Sequence, residues 1–425
     1  MKRIACVLLS LLALAWGAPT AAAEETVYIK TAADLAALSA RVAAGDSMEG
    51  TAVFLENDIS LSGEHTPIGT DPSRPFSGSF DGKGHIISGL SVSGGGDYSG
   101  LFGCVTHGSV RNLSLEGATV EGGNYSALLV GRLYAYQGTA AVEDCFVSGS
   151  INGTSYTGGV VGLALSASFG KNAHVSVKDC TARVRVKGDL YVGGIFGNAE
   201  SRASVAHSRT VAEGCTVYGT VRASGNYGAI GGGVGGALSA KCDSGSALSA
   251  CNDCLSYGDV NVEKTAAGGV LGTVGAVGAG AVATMEGCIA LGSTGGGAMS
   301  GGLCGKCESA EEGIASLKDS VAAGNVYGGS VFSLAAGQGI ENCVRASSAS
   351  DLPAGILVAQ SAMGDVNADG KVNALDAALI LRSDAALGIF GVAALAVADP
   401  SGDGRISSLD AALVLRYDAG LIKGF

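Results

Sequence analysis

Aromatic residues make up only 5% of the 425-residue chain, and its single tryptophan, Trp16, falls near the start. Propeller blades usually carry a recurrent Trp motif, so that scarcity argues against a propeller and removes the best sugar-stacking side chain. Charge is also sparse, at 15% of residues, and acids outnumber bases 38 to 26. An acidic chain without basic clusters argues against nucleic acid and anionic membrane as partners. The five histidines, His65, His85, His107, His174 and His207, form no HExxH, and no GxSxG occurs. Asp81/His85 and Cys104/His107 have ligand-like spacing, but each stands alone; Asp81 and His85 read as turn and strand residues. Six prolines stand against 70 glycines, with 47% of residues hydrophobic. Such a chain buries a large core through small residues and tight turns, unlike a helical bundle.

The start of the chain reads as a secretory signal peptide. Lys2-Arg3 precedes an apolar run from Ile4 to Trp16, and Ala21-Ala22-Ala23 offers a small-residue cleavage site after residue 23. Cys6 lies inside the apolar run, which argues against a lipid anchor. No later segment is apolar and Gly-free enough to span a bilayer, and no C-terminal sorting signal is evident. The expected location is extracellular or at a cell surface, and loss of Lys2 and Arg3 takes the formal charge from −12 to −14.

A short motif then returns through the chain: Tyr98-Ser-Gly-Leu-Phe-Gly103, Tyr156-Thr-Gly-Gly-Val-Val-Gly162, Tyr191-Val-Gly-Gly-Ile-Phe-Gly197, Ala267-Gly-Gly-Val-Leu-Gly272 and Ser300-Gly-Gly-Leu-Cys-Gly305. Degenerate copies lie near Tyr125, Tyr227 and Tyr327. Out of phase with it run Cys145, Cys180, Cys215, Cys254 and Cys288, at spacings of 35, 35, 39 and 34 residues; Ser320 and Cys343 continue the series. A period of that size indicates a solenoid or similar array. Alternating β-branched segments such as Val175-Ser-Val-Lys-Asp make the units strands. The expected fold is mainly β, a right-handed parallel β-helix over residues 24–343, in which one unit is either one long coil or two short ones. These repeats resemble the GLUG motif of bacterial surface proteins and of the non-catalytic portions of IgA-cleaving metallopeptidases. Thr31 to Ala44 reads as an amphipathic helix with a Thr cap, placed to cover the open end of a β-helix. The Phe80-Asp-Gly-Lys-Gly-His-Ile-Ile-Ser-Gly-Leu90 stretch resembles the first coils of pectin-lyase-like β-helices.

Eleven cysteines remain after signal cleavage, so not all can pair within the chain. The periodic five predict a ladder of small buried thiols. Cys251-Asn-Asp-Cys254 and Cys304-Gly-Lys-Cys307 would make a four-thiolate zinc site only if both pairs converged, and they sit in different repeats. A local disulfide involving Cys242, Cys251 or Cys307 is a third reading, permitted outside the cell. Tyr98, Tyr125, Tyr156 and Tyr191 recur near the repeat period, as anchoring corner residues or as an external stripe for a glycan.

The last sixty residues or so carry one acidic loop twice: Asp365-Val-Asn367-Ala-Asp369-Gly370-Lys371-Val-Asn373-Ala-Leu-Asp376 and Asp399-Pro-Ser401-Gly-Asp403-Gly404-Arg405-Ile-Ser407-Ser-Leu-Asp410. Oxygen-bearing side chains at positions 1, 3, 5, 9 and 12, with Gly at 6, give the calcium-loop spacing. Each loop runs into a near-identical helix, Leu375 to Arg382 and Leu409 to Arg416, and ordinary paired EF-hands fit poorly because no incoming helix is evident. Residues 364–425, after a linker at 344–363, resemble a type I dockerin, a small all-α module that folds on calcium and docks onto a cohesin of a scaffoldin. The resemblance implies two Ca2+ ions. Asp365, Asn367, Asp369, Asn373, Asp376 and the Lys371 carbonyl would hold the first. Asp399, Ser401, Asp403, Ser407, Asp410 and the Arg405 carbonyl would hold the second, with the neutral Ser401 weakening it. It also implies cohesin contacts at Ala374, Leu375, Arg382, Ser408, Leu409 and Arg416. The favoured function is a cellulosome-type component presenting a non-catalytic β-helix, for adhesion or for contact with a polysaccharide or cell-surface glycan. The alternative is a polysaccharide-degrading enzyme, a pectin-type lyase or glycoside hydrolase, with the β-helix as catalytic domain. A charged face would favour the enzyme, and a bland Gly/Ser/Thr surface would favour the arm.

Overall fold

Backbone hydrogen bonds between parallel strands of successive coils organise the larger part of the molecule. The computed structural model describes residues 25–225, 228–322, 326–327, 339–345, 363–366, 371–384, 397–401 and 406–424. The expected signal peptide, residues 1–23, and most of the expected linker at 344–363 lie outside that set. Every strand pairing is parallel, and the strands form sheets of six, seven, eleven and fourteen members, so six coils carry strands on all four faces. One coil runs Tyr191–Gly193, Phe196–Ala203, His207–Glu213 and Thr216–Ala223, through the six-, seven-, eleven- and fourteen-stranded sheets in turn. Val161 pairs with Phe196, Phe196 with Gly235, and Gly235 with Leu271. Each sequence repeat is therefore one long coil, not two short ones.

The repeat motif marks the corner between the six- and seven-stranded sheets. At the start of the motif, just ahead of the six-stranded sheet, Tyr98, Tyr125 and Tyr156 adopt φ of 57° to 58°. At Gly162 a Cβ would lie 2.5 Å from the Gly131 carbonyl oxygen and 2.7 Å from that of Tyr156, so neighbouring coils leave no room for a side chain. The periodic cysteines follow a second corner. The residue before each is Asp144, Asp179, Gly214, Asp253 or Gly287, all at φ near 51° or 65°. Asp and Asn tolerate that left-handed backbone better than other residues with a side chain.

At the N-terminal end, helix α1 (Ala32–Ala43) starts as expected, with Thr31 and Asp34 forming a reciprocal capping box. Leu35, Leu38 and Val42 bury into the same core as the first coils. Arg41, near the helix end, holds Glu25 through paired contacts of 2.8 Å and also meets Asp46.

The eleven-stranded sheet is two-sided. Its inward column runs Val53, Phe80, Val110, Val142, Val177, Ala212, Cys251, Met285 and Leu317, all buried. One residue further along each strand lies Asp81, Arg111, Glu143, Lys178, Glu213, Asn252, Glu286, Lys318 and Glu341. Charge alternates along this second column, and the neutral Asn252 separates the two acids that would otherwise be neighbours. Arg111–Asp81, Lys178–Glu213 and Lys318–Glu341 close to 3.2, 3.0 and 3.3 Å. Opposite charges across strands contribute about 0.2–1 kcal/mol each, and like charges cost similar amounts. A one-residue slip would carry these charges into the core, so the column also opposes misregistered coils.

Lys178→Glu sets three acids side by side. It should lower stability by about 1 kcal/mol in low salt, measured by denaturant unfolding, with the loss shrinking as salt screens the repulsion.

Candidate functional site

Helices α2 (Ala374–Asp384) and α3 (Ser408–Asp418) build the C-terminal module. They share a small core of Val366, Ala377, Ile380, Val397, Ala398, Ala411 and Val414. The Ala374 N–H donates to Asp418 Oδ2 at 3.1 Å, tying the start of one helix to the end of the other.

The two loops share the hydrogen bonds that start their helices. In the first, Asp376 Oδ2 accepts from the Asn373 N–H at 2.9 Å and Asn373 Oδ1 from the Leu375 N–H at 2.7 Å. In the second, Asp410 Oδ2 accepts from the Ser407 N–H at 2.8 Å and Ser407 Oγ from the Leu409 N–H at 3.2 Å. Position 9 is thus the helix cap and position 12 its reciprocal partner, a double role the loop spacing alone does not reveal. One bond differs. Asp376 Oδ1 accepts from the Val366 N–H at loop position 2, whereas Asp410 Oδ1 accepts from the Ser401 N–H at position 3, each at 3.0 Å. Pro400 occupies position 2 of the second loop and has no N–H, so the Val366 bond has no counterpart there.

Asp365, Asp376 and Asp410 are buried, at 1%, 0% and 0% exposure. Carboxylates are taken out of water only where partners or a cation compensate them, and these are hard oxygen donors of the type calcium takes. Each carboxylate oxygen has two lone pairs, so an N–H bond leaves capacity for a metal. Ser401 Oγ donates to Asp399 Oδ1 at 3.0 Å, which joins two more of the expected ligands. Lys371 is described, while Asn367, Asp369, Asp403 and Arg405 lie outside the described residues, as does the Arg382 side chain.

The expected partner-binding positions are on the surface. Leu375 and Leu409 are 56% and 52% exposed, and Ala374, Ser408 and Arg416 are exposed beside them. Leu381 and Leu415 are exposed as well, at matching places in the two helices. A solvated leucine pair on each of two short helices is an apolar surface displayed in duplicate.

Residues 363–417 match the family model of the dockerin type I domain. The C-terminal segment is a type I dockerin. Type I dockerins are calcium-binding modules, and a dockerin implies a cohesin partner and an extracellular, cellulosome-type setting. Two further similarities concern other proteins. Halomucin of Haloquadratum walsbyi is 37% identical over 95 residues, 22% of this chain, and the chain spans only 1% of that protein's length. A solved Bacteroides ovatus structure, provisionally titled an immunoglobulin A1 protease, is 18% identical with a TM-score of 0.46, over 78% of this chain and 87% of that one.

The β-helix portion separates the remaining candidates. Asp81 is buried and bonded to the Lys83 N–H, Asn112 and Arg111, whereas His85 meets Asp58 at 3.0 Å, so the two belong to different networks. Cys104 is buried, and burial pushes its thiol up to about 12, which makes it inert. His107 instead accepts from the Tyr136 N–H at 3.3 Å. Tyr98, Tyr125, Tyr156 and Tyr191 stack on one another with ring centroids 5.0 to 5.2 Å apart. Their ring faces cover each other rather than lying open to a sugar, as anchoring corner residues require.

All the cysteines among the described residues are free thiols. The expected local disulfide is therefore not formed: Cys251 packs against Cys288, with the sulfurs 3.9 Å apart. The periodic thiols form the expected buried column, and each donates to the carbonyl two residues back, from Cys145 to Glu143 at 3.2 Å through Cys288 to Glu286 at 3.4 Å. Ser320 makes the same bond at 2.6 Å. Cys251 and Cys254 group with Cys288, and that group does not include Cys304 or Cys307.

A cluster that sequence reasoning missed lies on the seven-stranded sheet. Glu200, 4% exposed, takes a two-pronged contact from Arg202 at 2.7 and 3.0 Å and meets Lys241 at 3.4 Å. Beside it, buried Asn198 has an Oδ1 with no hydrogen-bond partner. The three charges come from two different coils, and only the pairing of those coils assembles them.

Asp410→Ala removes the acceptor for the Ser407 N–H at the start of α3 and for the Ser401 N–H in the loop before it. It should cost the module about 1–2 kcal/mol, the size of a lost cap, read as loss of helical circular dichroism at lower denaturant.

Proposed function

We propose that this protein is an exported component of a cellulosome-type assembly, plugged into a cohesin by its dockerin and presenting the β-helix as a non-catalytic arm. The observation that carries the reading is the duplicated module. Two capped loops of buried carboxylates each lead into a helix displaying an exposed leucine, Leu375 or Leu409. Two calcium ions, one per loop, organise the module through the ligand sets named from the sequence. The cohesin contacts centre on Ala374-Leu375 and Ser408-Leu409, with Arg382 and Arg416 one face-repeat further along each helix. The repeated coils, of GLUG type, form the arm, and the acids of the eleven-stranded sheet serve its register through their ion pairs.

A second reading has one observation in its favour. Glu200, Arg202 and Lys241 beside the unpartnered Asn198 Oδ1 are a charged cluster on one β-helix face, as a polysaccharide-active site needs. A panel of pectic and hemicellulosic substrates separates the two. No product release is expected; release that Glu200→Gln abolishes would establish the enzyme instead.

Cohesin pull-down tests the main proposal. The full chain should be retained with calcium and lost with chelator. Leu375→Asp together with Leu409→Asp should weaken retention at least tenfold while calcium-dependent helicity persists. Retention unaffected by chelator would overturn the assignment.

A further inference from the structure

The thiol column runs through five successive coils, from Cys145 to Cys288, but at one level it gains an extra member. On the inward column of the eleven-stranded sheet, the places below Cys251 are taken by Val177 and Ala212 and the place above by Met285. Here a sulfur from that sheet, Cys251, meets the periodic column at Cys288, and its coil neighbour Met285 also carries sulfur. Cys251, Cys254 and Cys288 consequently hold their three sulfur atoms within 4.8 Å of one another, all buried.

We propose that Cys251, Cys254 and Cys288 form a binding site for copper(I) in the core of the β-helix. At a metal–sulfur distance of about 2.3 Å, three ligands in a trigonal plane lie about 4 Å apart. The Cys251 and Cys288 sulfurs are already 3.9 Å apart. The group contains neither carboxylate nor imidazole. An all-sulfur set of three suits a soft monovalent ion, whereas structural zinc is almost always held by four ligands. The thioether of Met285, on the strand paired to Cys251, is also a soft donor type. Each S–H that becomes S–Cu releases one proton to water, so affinity rises with pH. Loading accompanies folding or opening of a coil, because the site is closed to solvent.

The test titrates the full reduced chain anaerobically with copper(I) against a chromogenic copper(I) chelator. Cys251→Ala and Cys288→Ser are the probes, since Ala212 and Ser320 already occupy equivalent places in other coils. One tightly held copper per chain is expected, with sulfur-to-copper charge-transfer absorption and a rise in unfolding temperature. Either substitution should weaken binding at least tenfold, while Cys180→Ser leaves it unchanged. Binding that survives Cys251→Ala, or is lost equally in Cys180→Ser, would overturn the site. So would displacement of copper by equimolar zinc(II), or a Cys251–Cys288 disulfide in the protein as isolated.

Discussion

The constraint on which the rest depends is the parallel hydrogen-bonding of each coil to the next. It fixes a side chain's neighbours as residues 23 to 39 positions away rather than those beside it in the chain. Small residues gather where carbonyls of adjacent coils approach, as at Gly162. Tyrosines meet tyrosines, thiols meet thiols, and charges meet opposite charges. One geometric rule therefore produces apolar, aromatic, sulfur and ionic columns in the same body.

The dockerin solves a different problem. Among its described residues the dockerin buries seven apolar side chains, a small interior for a separate module. Its loops compensate with buried carboxylates that cap helices and are of the donor type calcium takes. Leu375 and Leu409 lie outside that interior and stay in solvent at the starts of the two helices.

Legibility differed between the two parts for the same physical reason. The dockerin's expected ligands and contacts fall within twelve-residue loops and one helix each, so local spacing is enough to propose them. The capping helix was likewise legible from Thr31 and Asp34. The thiol column could be read because one residue type recurs at a near-constant interval. The charge column could not: Asp81, Arg111, Glu143 and Lys178 differ in type, and only the pairing of strands makes them neighbours. The Glu200–Arg202–Lys241 cluster and the approach of Cys288 to Cys251 were hidden in the same way.

By itself the sequence determined the class of fold and the dockerin at the C-terminal end, because these rest on periodicity and on two acidic loops whose residues lie close together in the chain. Tertiary structure alone decided the number of residues per coil, the choice between stacked and sugar-facing tyrosines, and which cysteines gather. Those depend on register between coils, and register is set by backbone pairing across intervals that vary by several residues, which no fixed spacing can encode.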